Sequence, residues 1–172
     1  VLHSGTTLRF FSAVAALTEG AVLTGDASIR SRPNEPLLSC LSDLGAQAFS
    51  IRNNGKAPLV VRGKMKGGTA HLNGSVSSQF LSALLISAPL AEEETRIVIQ
   101  GELKSRPYAE MTLDMLAEAG IRIEPGEQEF LVPGNQSFGL KGYTIPGDFS
   151  SASYPMAAAA VTGSEVTVKG VL

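Results

Sequence analysis

The sequence contains few of the residues that build disulfides, zinc sites or nucleic-acid surfaces. Cys40 is the single cysteine among 172 residues, which excludes an internal disulfide. His3 and His71 are the two histidines, and one cysteine with two distant histidines makes no zinc pattern. The formal net charge is −2, whereas a nucleic-acid-binding domain normally carries a clear basic excess. We therefore expect no metal and no nucleic-acid partner.

Long apolar runs and a leader sequence are also lacking. The longest apolar stretches, residues 80–91 and 154–161, are interrupted by Ser or Pro and fall short of the roughly 18 residues expected of a membrane span. No basic segment followed by an apolar one opens the chain, so we expect no signal peptide, no membrane contact and a cytoplasmic location. The chain begins with Val1 rather than Met and stops inside an apparent strand, so we expect a segment of a longer protein.

What is present predicts a folded α/β (α+β) chain. Hydrophobic residues make up 44% of the sequence and charged residues 17%, which is typical of a folded domain. Apolar periodicity and turn residues predict helices over 6–17, 37–45, 77–90, 105–119 and 150–161. They predict strands over 21–25, 69–72, 95–100, 143–145 and 165–172, a loop over 30–36, and hairpins joining 46–52 to 58–64 and 121–124 to 129–132.

An internal repeat is the strongest organisational signal. Ser31-Arg32-Pro33 recurs as Ser105-Arg106-Pro107, and Gly74 and Gly147 each precede a helix that opens with two serines. The repeating unit has about 70 residues and the predicted order β-α-β-α-β-β, which is far longer than a solenoid repeat. We predict one unit over 1–73, a second over 74–146, and a helix and strand over 147–172 that belong to the next domain. The segment 80–91 is apolar nearly all round, which predicts a helix buried between sheets.

The first candidate site is the helix start at Ser77, Ser78 and Gln79. Free backbone N–H groups and the helix dipole attract anions at such a point, and two hydroxyls add further donors. The alternative is that Ser77 or Ser78 is merely an N-cap.

Two further candidates combine a helix start with arginine. The run Gly5-Thr6-Thr7-Leu8-Arg9 adds a guanidinium to a glycine that lets a ligand approach the backbone. The first Ser-Arg-Pro loop carries Arg32. The second, in the next unit, carries another arginine together with Ser105 and Tyr108. The alternatives are a helix C-cap at Gly5 and arginines paired with surface carboxylates. We interpret Cys40 as a core residue, His71 as a surface residue and Asp148 as an N-cap, and no carboxylate pair suggests a general acid and base.

Together these motifs resemble the 5-enolpyruvylshikimate-3-phosphate synthase family. The carriers are GTTLR (5–9), SRP (31–33), GSVSSQFLSALL (74–85), KSRPY (104–108) and GDFSSASYPMAAAA (147–160). The similarity spans essentially the whole chain, in the family's order. It implies repeated β-α-β-α-β-β units around buried parallel helices, an inside-out α/β barrel, of which this chain covers most of the N-terminal domain.

The resemblance also implies a reaction and a set of residues. The family transfers the enolpyruvyl group of phosphoenolpyruvate to shikimate 3-phosphate, releases phosphate and needs no cofactor. By resemblance, shikimate 3-phosphate is bound by Ser77, Ser78, Gln79, Ser105 and Tyr108. The phosphoenolpyruvate side, where glyphosate also binds, has Gly5, Arg32 and Gln79, with Thr6 and Arg9 in support.

One departure from the family and several absent parts bear on activity. The family usually has Asn where this chain has His3. Its acid/base carboxylate, an essential lysine and further phosphoenolpyruvate ligands lie in sequence outside this segment. We therefore expect the segment alone to have no catalytic residue and no activity, and its uncovered apolar faces to promote self-association.

The sequence has three alternative interpretations. The sister transferase that acts on UDP-N-acetylglucosamine has a reactive cysteine before its Arg-Pro pair, whereas residues 25–31 contain none and Cys40 follows the pair. The segment could instead be a non-catalytic folding module that binds anions weakly. An RNA-phosphate cyclase is disfavoured by the acidic charge balance.

Overall fold

The computed structural model describes residues 1–171. The chain consists of two compact units, Val1–Gly139 and Leu140–Leu172. The first unit mixes helices and strands, as the sequence predicts. Its helices are α1 (Gly5–Ala15), α2 (Ala27–Ser31), α3 (Glu35–Asp43), α4 (Ser78–Ser87, continued by a 3-10 turn at Ala88–Leu90) and α5 (Arg106–Glu118). Its strands are β1 (Gly20–Leu23), β2 (Gln47–Ser50), β3 (Leu59–Arg62), β4 (Gly68–Asn73), β5 (Thr95–Gln100), β6 (Glu124–Pro125) and β7 (Glu129–Val132).

The strands form two sheets. The first has the order β1-β3-β2 and is antiparallel throughout, with Val60 opposite both Val22 and Phe49. The second has the order β4-β5-β7-β6, in which β4 and β5 are parallel and the other pairs are antiparallel. Both predicted hairpins are therefore confirmed, although β6 has only two residues.

The two sheets share one connectivity. The second half of the unit runs β4-α4-β5-α5-β6-β7, which is the predicted β-α-β-α-β-β order. Strands β1, β3 and β2 neighbour one another in the same order as β5, β7 and β6, so the sequence repeat is also a topological one. Two features distinguish the halves: α2 is an additional short helix, and within residues 1–171 no strand precedes α1 as β4 precedes α4.

Helix α4 lies at the centre of the core. Phe80, Leu81, Leu84 and Leu85 are completely buried, and α4 packs against both α1 and α5. A helix that is surrounded on all sides must be apolar on all sides, which explains its weak amphipathicity. The prediction of a buried helix here is confirmed.

Two predicted strands are wrong. Residues 143–145 and 164–170 form no strand, and a single parallel bridge joins Gly147 to Val171 in the second unit. Leu172, the last residue of the predicted terminal strand, lies outside the described residues. Tyr143 and Ile145 are exposed, and β-branched and aromatic residues favour a strand only where a neighbouring strand completes the hydrogen bonds.

The predicted loop over 30–36 is wrong in part. Asp26 accepts a hydrogen bond from the Ile29 amide at 2.9 Å and starts α2, which extends through Ser31. Only residues 32–34 separate it from α3.

In the second unit, α6 (Phe149–Thr162) forms as predicted, and Asp148 caps it by accepting from the Ser150 and Ser151 amides. In the described part of the chain, no helix is both long and apolar enough to span a bilayer.

Candidate anion-binding site

The N-terminus of α1 is capped by its own sequence. Ser4 accepts a hydrogen bond from the Thr7 amide at 3.2 Å, and the helix begins at Gly5. Gly5 is therefore the first residue of a helix, and the alternative reading of a C-cap is wrong. The remaining amides of this first turn have no intrahelical acceptor, which leaves the end of the helix electropositive.

Helix α4 starts in the same way. Ser77 caps it by accepting from the Gln79 amide at 3.3 Å, so the N-cap interpretation of Ser77 is confirmed. Ser78, the first helical residue, is 6% exposed, whereas Ser77 and Gln79 are partly exposed. Phe80 lies behind them in the core.

These two helix starts meet. The Gln79 side-chain amide donates from Nε2 to Thr6 Oγ1 at 3.0 Å, and Arg9 Nη1 donates to Ser77 Oγ at 3.2 Å and to Gln79 Oε1 at 2.7 Å. All three bonds join residues of the first two turns, so α1 and α4 present their N-termini at the same end. Two adjacent positive helix ends repel each other, and an anion between them relieves that repulsion.

The Arg9 guanidinium is held from several sides. Its Cζ lies 4.6 Å from the centre of the Phe80 ring, and Nη2 approaches the Pro33 carbonyl oxygen at 3.4 Å. Burial lowers the Arg9 pKa below its usual value, and the nearby charge of Arg32 lowers it further. Desolvation and a like charge both disfavour the charged form of Arg9. The surroundings of the guanidinium therefore raise the free energy of its positive charge.

The Arg9 charge has no carboxylate partner among the residues that the structure describes. In residues 1–171, ion pairs join Arg96 to Glu129 and Arg106 to Glu110, and neither involves Arg9 or Arg32. A half-buried guanidinium bonded only to neutral groups retains its full positive charge. The arrangement is therefore prepared to bind an anion.

Arg32 completes the positive cluster. It follows α2 as its C-cap, and its guanidinium lies over Gly5, where a Cβ would be 2.8 Å from Nη1.

The repeated Ser-Arg-Pro motif adopts two different local structures. Ser31 ends α2, whereas Ser105 precedes α5 in a left-handed conformation with φ 58°. Pro33 precedes α3, which begins at Glu35, whereas Pro107 is the second residue of α5.

Ser105 and Tyr108 lie at the start of α5. The Lys104 amide donates to the Gly74 carbonyl at 3.1 Å, which places the loop before α5 against the loop before α4. Within the described chain, however, neither side chain forms a hydrogen bond with the Arg9–Gln79 cluster, and Tyr108 is 59% exposed. The structure thus brings Gly5, Thr6, Arg9, Arg32, Ser77 and Gln79 together and leaves Ser105 and Tyr108 beside them.

Sequence reasoning missed Asn34. Its side chain is fully buried, donates from Nδ2 to the Arg32 carbonyl at 3.0 Å and accepts from Arg9 Nε at 3.4 Å. A polar residue directly before an amphipathic helix is normally interpreted as an N-cap. Nothing in the local sequence indicates that this amide faces two arginines.

The cysteine is where the sequence predicts it. Cys40 is completely buried in α3, and its thiol lies 3.5 Å from the His71 carbonyl oxygen. Burial, with a further contribution from Asp43, raises the Cys40 pKa to about 12. Such a thiol is protonated at neutral pH and is a poor nucleophile. Across residues 1–171, no three His, Cys, Asp or Glu side chains are grouped to hold a metal ion.

Comparison with known proteins identifies a matching family. The family described as EPSP synthase (3-phosphoshikimate 1-carboxyvinyltransferase) matches residues 2–172. The 3-phosphoshikimate 1-carboxyvinyltransferase of Methanothrix thermoacetophila is 68% identical over 170 residues, which cover 99% of this chain and 40% of the relative. That of Methanocella arvoryzae is 60% identical over 167 residues, which cover 96% and 40%.

Solved structures show the same fold. An EPSP synthase structure from Acinetobacter baumannii superimposes with a TM-score of 0.75 at 27% identity, over 98% of this chain and 38% of that one. The chain spans about 40% of the length of the curated relatives it matches. Since the family match extends over nearly the whole chain, the chain belongs to the EPSP synthase family.

Proposed function

We propose that the full-length protein carrying this chain transfers the enolpyruvyl group of phosphoenolpyruvate to the 5-hydroxyl of shikimate 3-phosphate and releases phosphate. The supporting observation is the junction of α1 and α4, where two helix N-termini meet two arginines that no carboxylate neutralises within residues 1–171. Both proposed substrates carry a phosphate, and the enolpyruvyl donor also carries a carboxylate. Bringing them together requires positive charge to offset their mutual repulsion.

The proposed contacts are those that the family resemblance implies. Ser77, Ser78 and Gln79 bind shikimate 3-phosphate at the start of α4, and Ser105 and Tyr108 extend that side from the start of α5. Gly5 and Arg32, with Gln79, face phosphoenolpyruvate. Thr6 and Arg9 act in support: they hold the two ends of the Gln79 amide, so its orientation is set before substrate arrives.

This segment supplies binding groups rather than an acid or base. The proposed reaction needs no metal or organic cofactor. The carboxylate that transfers the proton belongs to the remainder of the full-length protein. The isolated segment therefore has no turnover, and it binds shikimate 3-phosphate weakly or not at all, because part of each pocket is absent.

We also propose the wider architecture that the family implies. Residues 1–73 and 74–146 are two of the repeated units of an inside-out α/β barrel, and residues 147–172 lead into the next domain. The shared connectivity of the two sheets supports two repeated units, but β4 (Gly68–Asn73) pairs within the second sheet, which favours a boundary before residue 68 rather than at 73. In the isolated segment, exposed apolar side chains such as Phe11, Val22 and Met111 promote self-association.

A phosphate-release assay on the full-length protein tests the proposed reaction. We expect phosphate only when phosphoenolpyruvate and shikimate 3-phosphate are both present. Arg32→Ala should raise the phosphoenolpyruvate KM at least about tenfold, whereas Arg96→Ala, on the exposed Glu129 pair, should not. Turnover with UDP-N-acetylglucosamine in place of shikimate 3-phosphate would instead support the sister transferase, which the buried Cys40 disfavours.

The isolated segment needs its own measurement. Titration of shikimate 3-phosphate should shift the Ser77, Ser78 and Gln79 amide resonances only at millimolar concentration. Submicromolar binding, or phosphate release by the purified segment, would contradict the proposed division of labour between this segment and the rest of the protein.

A further inference from the structure

Asn34 occupies a position where a helix cap is expected, but it does not cap the helix. It precedes α3 as the N-cap residue, yet its side chain makes no hydrogen bond to the amides of that helix. Asparagine at this position ordinarily accepts a hydrogen bond from the second or third helical N–H and so stabilises the helix. The side chain has been directed elsewhere, although it is completely buried.

Both polar atoms of the amide face the two arginine-bearing segments. Nδ2 donates to the Arg32 carbonyl at 3.0 Å, and Oδ1 accepts from Arg9 Nε at 3.4 Å. The Asn34 backbone N–H is anchored to the Gly55 carbonyl at 2.7 Å, on the β2–β3 hairpin. The hairpin, the Arg32 loop and helix α1 therefore converge on this one residue, the hairpin through its backbone N–H and the other two through its side chain.

The chemistry of the amide suits this place. Arg9 and Arg32 repel each other, which contributes to the lowered pKa of Arg9. A carboxylate at residue 34 would hold Arg9 more strongly, but it would also neutralise part of the charge that binds an anion, and it could not donate to the Arg32 carbonyl. An amide donates to one segment, accepts from the other and carries no charge.

We propose that Asn34 is a positioning residue that holds Arg9 and the Arg32 backbone in place while leaving the site's positive charge intact. It touches no substrate and acts through the two arginines. The inference rests on the proposed function, because its kinetic consequence is the binding of phosphoenolpyruvate beside Arg32.

Kinetics of the full-length protein with two substitutions test the proposal. Asn34→Ser removes the bridge and remains a good N-cap, and we expect the phosphoenolpyruvate KM to rise about fivefold to tenfold with kcat reduced less than about threefold. Asn34→Asp keeps the acceptor for Arg9 but adds a negative charge, so we expect a rise of more than about tenfold. The shikimate 3-phosphate KM should change less in both, because Asn34 bonds the Arg32 segment directly and reaches Ser77 and Gln79 only through Arg9.

The matched control is Asn135→Ser, which removes a side-chain amide bond to the Glu92 carbonyl in a turn far from Arg9 in the sequence and outside the cluster. It should lower the melting temperature without changing the phosphoenolpyruvate KM. If folded Asn34→Ser and Asn34→Asp keep a KM within twofold of wild type, or if Asn135→Ser raises it equally, Asn34 is structural and the proposal is overturned. A wild-type protein with no enolpyruvyl transfer would instead overturn the proposed function.

A measurement on the unaltered protein covers variants that fail to fold. The Arg9 Nε–H should give a resolved resonance in a 15N spectrum and exchange with water at least about tenfold more slowly than the exposed Arg30 Nε–H. Equal exchange rates for the two arginines would overturn the proposed hold of Asn34 on Arg9.

Discussion

Arg32 and Gly5 occupy adjoining space in which only a glycine fits. A Cβ on residue 5 would lie 2.8 Å from Arg32 Nη1, closer than nonbonded atoms approach, and the guanidinium carbon and Cδ follow at 3.8 and 3.9 Å. The contact is with the mobile end of a long side chain rather than with backbone. A substituent at residue 5 therefore displaces the arginine and leaves the helix in place.

Gly5→Ala in the full-length protein should raise the phosphoenolpyruvate KM about tenfold and change the melting temperature little. The added methyl group moves the Arg32 guanidinium while α1 gains a better helix former. Steady-state kinetics with each substrate varied in turn measure the effect. Gly142→Ala, where nothing lies within 4 Å of the added carbon, is the control. An unchanged KM would show that the arginine's position is not limiting.

Arg9→Lys should lower kcat/KM at least about tenfold, because an ammonium cannot bond Ser77, Gln79 and Asn34 together or stack on Phe80 in the same way. The charge is kept, so a loss reports geometry rather than electrostatics. Kinetic assays on full-length protein measure it, and Arg96→Lys on the exposed Glu129 pair should have no effect. Equal activity of wild type and Arg9→Lys would assign Arg9 a charge role only.

Cys40 should resist thiol reagents in the native protein. Burial raises its pKa to about 12, so the thiol stays protonated at pH 8 and is also shielded from reagent. We expect labelling by 5,5′-dithiobis(2-nitrobenzoate) to be at least about a hundredfold slower before than after unfolding in urea. Rapid native labelling, or covalent capture by a thiol-reactive phosphoenolpyruvate mimic, would revive the alternative transferase.

The hydroxyls of Ser82 and Thr112 link α4 to α5 inside the core. Their oxygens are 2.8 Å apart, and the Thr112 hydroxyl donates to the Tyr108 carbonyl at 2.8 Å, so Ser82 donates to Thr112. Thr112→Val should lower the free energy of unfolding by about 1–3 kcal/mol, because it removes the acceptor of a buried hydroxyl. Adding Ser82→Ala should cost less than the sum of the single changes. Urea unfolding of the four proteins measures this coupling, and strict additivity would contradict it.

Asp148 should titrate below its usual value. The Ser151 hydroxyl and then the Ser150 amide hydrogen-bond to the carboxylate and lower its pKa from 3.8. Because the folded-state pKa is depressed, the stabilisation of α6 is complete above about pH 4 and is lost as the pH falls through the lower folded value. Carbon-13 NMR of the Asp148 carboxyl measures the midpoint. A midpoint at or above 3.8 would show that the cap is not formed in solution.

The elements with local signals could be predicted from sequence. Residues 95–100 form the predicted strand with its predicted bounds, and their side chains alternate between buried and more exposed positions. The turn over 53–56 sets the β2–β3 hairpin, and Ser77 and Asp148 cap the helices that follow them. The strand predicted over 143–145 does not form, because a strand needs a neighbouring strand to pair with, and the strand propensity of a segment does not provide that neighbour.

In the candidate site, too, some features follow from the local sequence and others only from the tertiary structure. That the helix starts near Gly5 and Ser77 attract anions follows from the local sequence, since a helix end is electropositive wherever it lies. That Arg9 reaches Gln79 across 70 residues, and that Asn34 turns away from its own helix toward two arginines, follows only from packing. The amino-acid sequence determined which groups bear charge and where helices begin. The tertiary structure decided which of them meet, because a contact between distant residues depends on how the whole core is filled.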